Sequence, residues 1–122
     1  MDILYRKQTE TNKSFYIKKD SNYEKIYQKY ILYLKASGNT TEIHTRNKSV
    51  YNVSTNLADL LIKLDNDSIV KVNRSYAVNI NYIIKFNYNK IYIEKKDAVE
   101  EIKLTDTFRA KLMKKLKIIK TK

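Results

Sequence analysis

The chain has no cysteine, no proline, no tryptophan, a single glycine (Gly38) and a single histidine (His44). Each shortage removes a class of protein. Without Cys there is no disulfide framework and no thiolate zinc site, which suits a cytoplasmic protein. One His and no Cys leave no nucleophile–His pair and no His/Cys metal centre. A Gly-rich phosphate loop needs more than one glycine. No spaced pair of acids stands out, so the reading is not an enzyme, with no metal, no cofactor and no small-molecule substrate. No apolar run approaches the roughly 18 residues that cross a bilayer. The start, Met1-Asp-Ile-Leu-Tyr-Arg, lacks the basic-then-apolar order of a signal peptide, and no membrane partner is expected. His44 sits in an alternating run and reads as a surface or edge side chain.

What the chain has is positive charge. The formal net charge of its 122 residues is +12. Residues 103–122 hold eight Lys or Arg against one acid, Asp106, while the other 102 residues hold 17 against 12. More than half of the net charge therefore lies in the last sixth of the chain. A concentrated basic patch favours a polyanion, nucleic acid first and an anionic membrane surface second. AT-rich codons alone would raise Lys everywhere, but would not keep acids away from the C-terminus.

A length of 122 residues suits one domain with one core. Residues 1–13 read as a polar tail or linker remnant, and 14–122 as the domain. Strands are expected from Ser14 and over Tyr23–Tyr27, with a corner at Gln28-Lys29. A strong strand, Tyr30–Lys35, ends at Gly38, the natural site for positive φ. Thr40–Arg46 and Lys48–Val53 alternate around Asn47, which reads as a hairpin with Asn in the left-handed conformation. Leu57, Leu60, Leu61 and Leu64 then switch to helical spacing, with Ser54, Thr55 or Asn56 as cap and Asp65 at the end. Lys90–Glu94 pairs with Ile83–Tyr88, and Ala98–Leu104 is the last strand. Phe108, Leu112, Leu116 and Ile119 mark a final helix, capped by Thr105 or Thr107 and covered with Lys.

The stretch that organises the rest is Ser68–Phe86. Ile69, Val70 and Val72 form a strand around Lys71, then Asn73-Arg74-Ser75 breaks it. Tyr76, Val78 and Ile80 alternate with Ala77, Asn79 and Asn81, and Tyr82-Ile83-Ile84 follows. The chain has only four arginines, Arg6, Arg46, Arg74 and Arg109. A guanidinium holds a base edge or a phosphate in two bonds, which an ammonium does not. Arg74 at a turn between apolar strands is therefore a candidate reader; the alternative is a guanidinium stacked on a Tyr or paired with Asp67. Asn79 reads as structural, its amide bracing backbone from within.

The segment KVNRSYAVNINYI resembles the signature of the LytTR DNA-binding domain of the LytR/AlgR family of bacterial transcription regulators. Three further stretches resemble that family in order: Tyr30–Asn39 (YILYLKASGN), Thr55–Leu60 (TNLADL) and Leu104–Leu116. The resemblance covers roughly residues 14–117. It departs at Lys35, where the family often has Glu, and at Thr105-Asp106-Thr107, where it often has Ser-Arg-Arg. The implied fold is mainly β: an elongated, β-sandwich-like domain of about eight to ten short strands with two short helices, about 55–64 and 106–119.

In that family the loop after the first long strand enters a major groove. By position the contact would be Thr41 or Thr40, flanked by Asn39 and Lys35; the alternative for this loop is a plain hairpin connection. A second contact falls at Arg74, with Asn73 and Ser75 on phosphates beside it. The third aligns with Thr107, with Arg109 as substitute and Lys111 and Lys115 on the next turns; the alternative is a solvated helix face. The resemblance implies a sequence-specific regulator on double-stranded DNA, two protomers on tandem direct repeats. The family's usual receiver domain is not in these residues, so the chain reads as a stand-alone regulator or as the output domain cut from a response regulator. The rival reading is a non-specific polyanion-binding module, docking on RNA or an anionic membrane through its basic C-terminal helix.

Overall fold

The computed structural model describes residues 13–121; of the tail read over residues 1–13, all but Lys13 lies outside them. The order of elements is β1 (Ser14–Lys19), β2 (Asn22–Tyr27), β3 (Ile31–Ser37), β4 (Thr40–Thr45), β5 (Val50–Val53), α1 (Leu57–Leu64), β6 (Ile69–Lys71), β7 (Tyr76–Asn79), β8 (Ile83–Phe86), β9 (Lys90–Lys95), β10 (Ala98–Lys103) and α2 (Asp106–Lys115). Short 3-10 turns at Gln28–Tyr30 and Ile80–Tyr82 lead into β3 and β8. The fold is mainly β, as expected.

Among the described residues all pairing is antiparallel and falls into three sheets: β1-β2, β5-β4-β3-β7-β6 and β10-β9-β8. The five-stranded sheet is buried on both faces. On one, Ile31, Leu34, Ile43 and Ala77 pack with Leu57, Leu60 and Leu64 of α1, and Phe15 and Ile17 of β1 close over them. On the other, Leu32, Tyr33 and Val78 pack with Ile91, Ile93 and Ile102 of the third sheet, Leu104 just after it and Leu112 of α2. Two covered faces explain why β7 departs from the alternation of its sequence. Ala77, Val78 and Asn79 are all buried, because β7 lies between β3 and β6 with a core on each side.

A bulge sets up β3. Its pairing with β4 runs Ile31 to Thr45 and then Tyr33 to His44, two residues against one. The extra residue lets Leu32 and Tyr33 enter the same core, where strict alternation would separate them. Local turn chemistry follows the sequence in part. Gly38 has φ of 65° and Asp65, ending α1, has φ of 46°. At the β4–β5 turn the left-handed residue is Lys48, φ 72°, and not Asn47. Asn47 instead accepts through its side chain from the Ser49 N–H (3.3 Å), holding the turn from outside it.

The α1 cap is Asn56, whose Oδ1 accepts from the Asp59 N–H at 2.8 Å. Its three buried leucines contribute on the order of 1.5–3 kcal/mol each, more than propensity supplies over eight residues. The second helix corrects its expected length: it ends at Lys115, not near 119. Leu112 is fully buried, but Leu116 already has extended backbone and Ile119 is 85% exposed. Among the described residues no core lies beyond Leu116 to hold another turn, and Lys at 111, 114, 115 and 117 repel at helical spacing. Thr105 occupies the cap position without capping; its hydroxyl donates to the Val72 carbonyl at 3.4 Å.

Candidate nucleic-acid interface

Three segments far apart in sequence form one edge of the molecule. They are the β3–β4 loop at 38–39, the β6–β7 turn at 72–75 and the start of α2. Pairing of β3 with β7 puts Lys35 opposite Tyr76, and the Ala36 N–H donates to the Ser75 carbonyl at 2.7 Å. This joins the first segment to the second. The Asn73 amide joins the second to the third. Its Nδ2 donates to the Lys103 carbonyl at 2.7 Å, while its Oδ1 accepts from the Ser75 N–H at 2.8 Å. The Thr105 N–H adds a bond to the Val72 carbonyl at 3.2 Å.

The expected contact residues fall into two groups. Asn39, Arg74, Ser75, Thr107 and Lys111 are exposed. Nothing among the described residues pairs with the Arg74 guanidinium. The rest are occupied in part or whole. Lys35 is half-buried, its ammonium 6.0 Å from the Tyr76 ring centre. The Thr40 hydroxyl closes its own turn on the Ser37 carbonyl at 2.8 Å. Lys115, the last residue of α2, lies off this edge: it reaches the Asp67 carbonyl at 3.2 Å, beside the end of β6 that lies away from the Arg74 turn. Two residues expected at the interface are placed inside the fold. Thr41 is fully buried, donating to the Thr55 carbonyl at 2.7 Å, because alternation in β4 turns it toward the core. Asn73 is buried with both ends of its amide in use. Asn79 is buried as read, bonded to the Ile31 carbonyl at 2.9 Å and the Asn81 N–H at 3.0 Å.

Arg109 has partners the sequence did not announce. Its Nη2 lies 2.8 Å from Asp106, one turn back. Its Nε donates to the Tyr88 carbonyl at 2.8 Å, and the guanidinium carbon sits 3.8 Å above the Tyr88 ring. Tyr88 comes from the β8–β9 turn; the sequence pattern makes it the last residue of the strand Ile83–Tyr88, but β8 ends at Phe86. Its one signal in the sequence is an aromatic between two asparagines. Asp106 stands in the first helical turn, where a carboxylate suits the positive end of the helix dipole. Lys71 similarly reaches over Phe108, 5.7 Å from its centre.

The edge carries an excess of cations and little chemistry of another kind. Among the described residues no three of His, Cys, Asp and Glu come together, and no helix is long and apolar enough to cross a membrane. His44 is on β4 away from the edge, stacked on Tyr33 (centres 4.3 Å apart) and 2.9 Å from Glu42. The fold and the site define a class: a mainly β domain that offers a basic edge, built from loops and one helix start, to a polyanion.

The comparisons with known proteins make this particular. The family model described as the LytTr DNA-binding domain matches residues 21–117, and the chain belongs to the LytTR family. It is in general terms a DNA-binding transcription regulator. Among solved structures, one similar fold is the LytTr DNA-binding domain of a protein described as a methyl-accepting/DNA response regulator from Bacillus cereus. The TM-score is 0.65 at 16% identity, over 83% of this chain and 94% of that one. No curated protein matches the sequence.

Proposed function

We propose that this chain binds a specific double-stranded DNA site, with two protomers on a tandem direct repeat, and regulates the adjacent promoter. The observation that carries the reading is the Asn73 amide. It ties the turn bearing Arg74 to the end of β10, and with the Ala36–Ser75 bond it joins the three segments into one edge. Arg74 meets a base edge in the major groove, with Asn39 and Thr40 from the neighbouring loop and Thr107 from the helix start. Arg109, Ser75, Lys35 and Lys111 hold phosphates and set the register. Thr41 and Asn73 serve from behind, as the internal ties of two loops.

The test is a selection of random duplexes on the domain, followed by titration of the enriched and a scrambled duplex across a salt series. A direct repeat should emerge, and its preference should persist at high salt. Arg74→Ala should cost about 1–3 kcal/mol on the selected site and much less on scrambled DNA. If nothing enriches and both duplexes weaken with one slope, the contacts are to phosphate alone. The basic α2 would then be a general polyanion-binding surface.

A further inference from the structure

The outward face of the β1–β2 hairpin carries tyrosine and lysine in a checkerboard. Phe15 and Ile17 turn inward to the core, and Ile26 is buried with them. On the opposite face the register sets Tyr16 beside Lys25, Lys18 beside Tyr23 and Ser14 beside Tyr27. The 3-10 turn that follows adds Lys29 and Tyr30. Tyr16, Tyr23, Tyr27 and Tyr30 are 62%, 65%, 40% and 41% exposed. Lys18 lies 5.9 Å from the Tyr23 ring centre, Lys25 5.0 Å from Tyr27 and Lys29 5.2 Å from Tyr30. The hairpin's acids are elsewhere. Glu24 falls on the other side, opposite Ile17, and accepts from the Tyr51 hydroxyl at 2.9 Å. Asp20 is in the connecting turn.

The face leads into a cleft. Tyr30 forms one wall of a hollow of about 750 Å³ that is also lined by Tyr82, Arg46 and Lys96. The Arg46 N–H bonds the Tyr30 carbonyl at 2.8 Å, which joins cleft and hairpin rigidly. Two acids line it: Asp97 is paired with Lys48 at 3.3 Å, and Glu94 is exposed with no ion pair among the described residues. Arg46 and Lys96 form no ion pair among the described residues. This region is not the edge described above. β3 starts here, with Ile31 against Thr45, and reaches the edge six residues later, with Ser37 against Thr40; that separation is on the order of 20 Å.

Single exposed tyrosines are ordinary, but four with lysines between them have a matching ligand. Flat rings stack on unpaired bases of any sequence, and ammonium groups between them meet the phosphates. A double helix hides its base faces, and an acidic peptide would engage the lysines and leave the rings idle. We infer that this face is a binding track for single-stranded nucleic acid, DNA or RNA, separate from the double-helix edge.

The test is fluorescence anisotropy of labelled dT20 and rU20 with the full chain. Both should bind. Tyr16→Ala with Tyr23→Ala should weaken them about 25-fold or more, at about fivefold per lost stacking ring. Tyr16→Phe with Tyr23→Phe should bind as the parent does, because the rings remain. Arg74→Ala should leave oligonucleotide binding intact, which separates this track from the proposed duplex site. The inference is overturned if neither oligonucleotide binds, or if the Ala pair binds as well as the parent. It is also overturned if Arg74→Ala abolishes binding, or if polyglutamate of equal charge competes as well as unlabelled dT20.

Discussion

Arg74 and Arg109 stand on the same edge, and the fold holds them in opposite ways. The backbone under Arg74 is fixed by Asn73, but its guanidinium has no partner among the described residues. The Arg109 guanidinium is held by Asp106 and Tyr88 before any ligand arrives. A free fork can adjust to a base edge and loses rotamer freedom when it does so. A held fork has already lost that freedom and has fewer donors left to offer. The first arrangement suits reading, the second suits positioning on a phosphate. In the proposed interface the two arginines therefore contribute to different quantities, specificity and general affinity.

The largest effect should come from removing what both arginines depend on. Asn73→Ala leaves the Lys103 carbonyl and the Ser75 N–H without their bonds and should cost about 1–3 kcal/mol of stability. Chemical denaturation measures that, and binding of the selected duplex should weaken alongside it. Loss of stability with duplex binding intact would mean that the edge does not need this tie. A smaller effect separates the two arginines. Tyr88→Ala removes the ring under the Arg109 guanidinium, leaving its bonds to the Tyr88 carbonyl and Asp106, and should weaken selected and scrambled duplexes alike, by about 0.5–1 kcal/mol. If Tyr88→Ala changes base preference instead, the roles given to Arg74 and Arg109 are reversed.

The smallest effect lies away from the edge and is silent at neutral pH. Burial raises the Tyr33 hydroxyl above its ordinary value of 10.0, and nearby Glu100 adds to it. The Glu100 hydrogen bond raises Lys95 above 10.5. In both, folding favours the protonated form. Their contribution is complete below those ordinary values and is lost as pH rises through the raised ones. Thermal melts should be flat up to about pH 9 and fall above about pH 10. In Glu100→Gln the fall should shrink. An unchanged alkaline limb in that variant would rule out this network as its origin.

Much of the local structure was legible because it depends on near neighbours. The Leu57–Leu64 stripe, the Gly38 turn and the hairpin after Phe86 all rest on spacing or on one residue's allowed φ. The misplacements have physical reasons. The helical pattern runs on to Ile119, but a pattern earns a helix only where a core meets it, and the core stops at Leu116. Asn47 has the right chemistry for a left-handed residue, yet its side chain serves the turn better as an acceptor while Lys48 takes the strained φ. Thr41 looked available in a polar loop, but it belongs to β4, and strand alternation decides its direction. The Asn73 side chain faces a β10 carbonyl 30 residues away, a contact with no trace in local sequence.

By itself the sequence determined the class of fold, the excess of positive charge, the absence of cysteine and the turn that carries Arg74. These follow from composition, period and the backbone preferences of single residues. Only the tertiary structure decided which polar residues are tools and which are ties. It buried Thr41 and Asn73, left Arg74 without a partner among the described residues and clamped Arg109 on Tyr88. The reason is that a polar side chain's role depends on the nearest unsatisfied partner. In a sheet with two covered faces, that partner comes from a distant part of the chain.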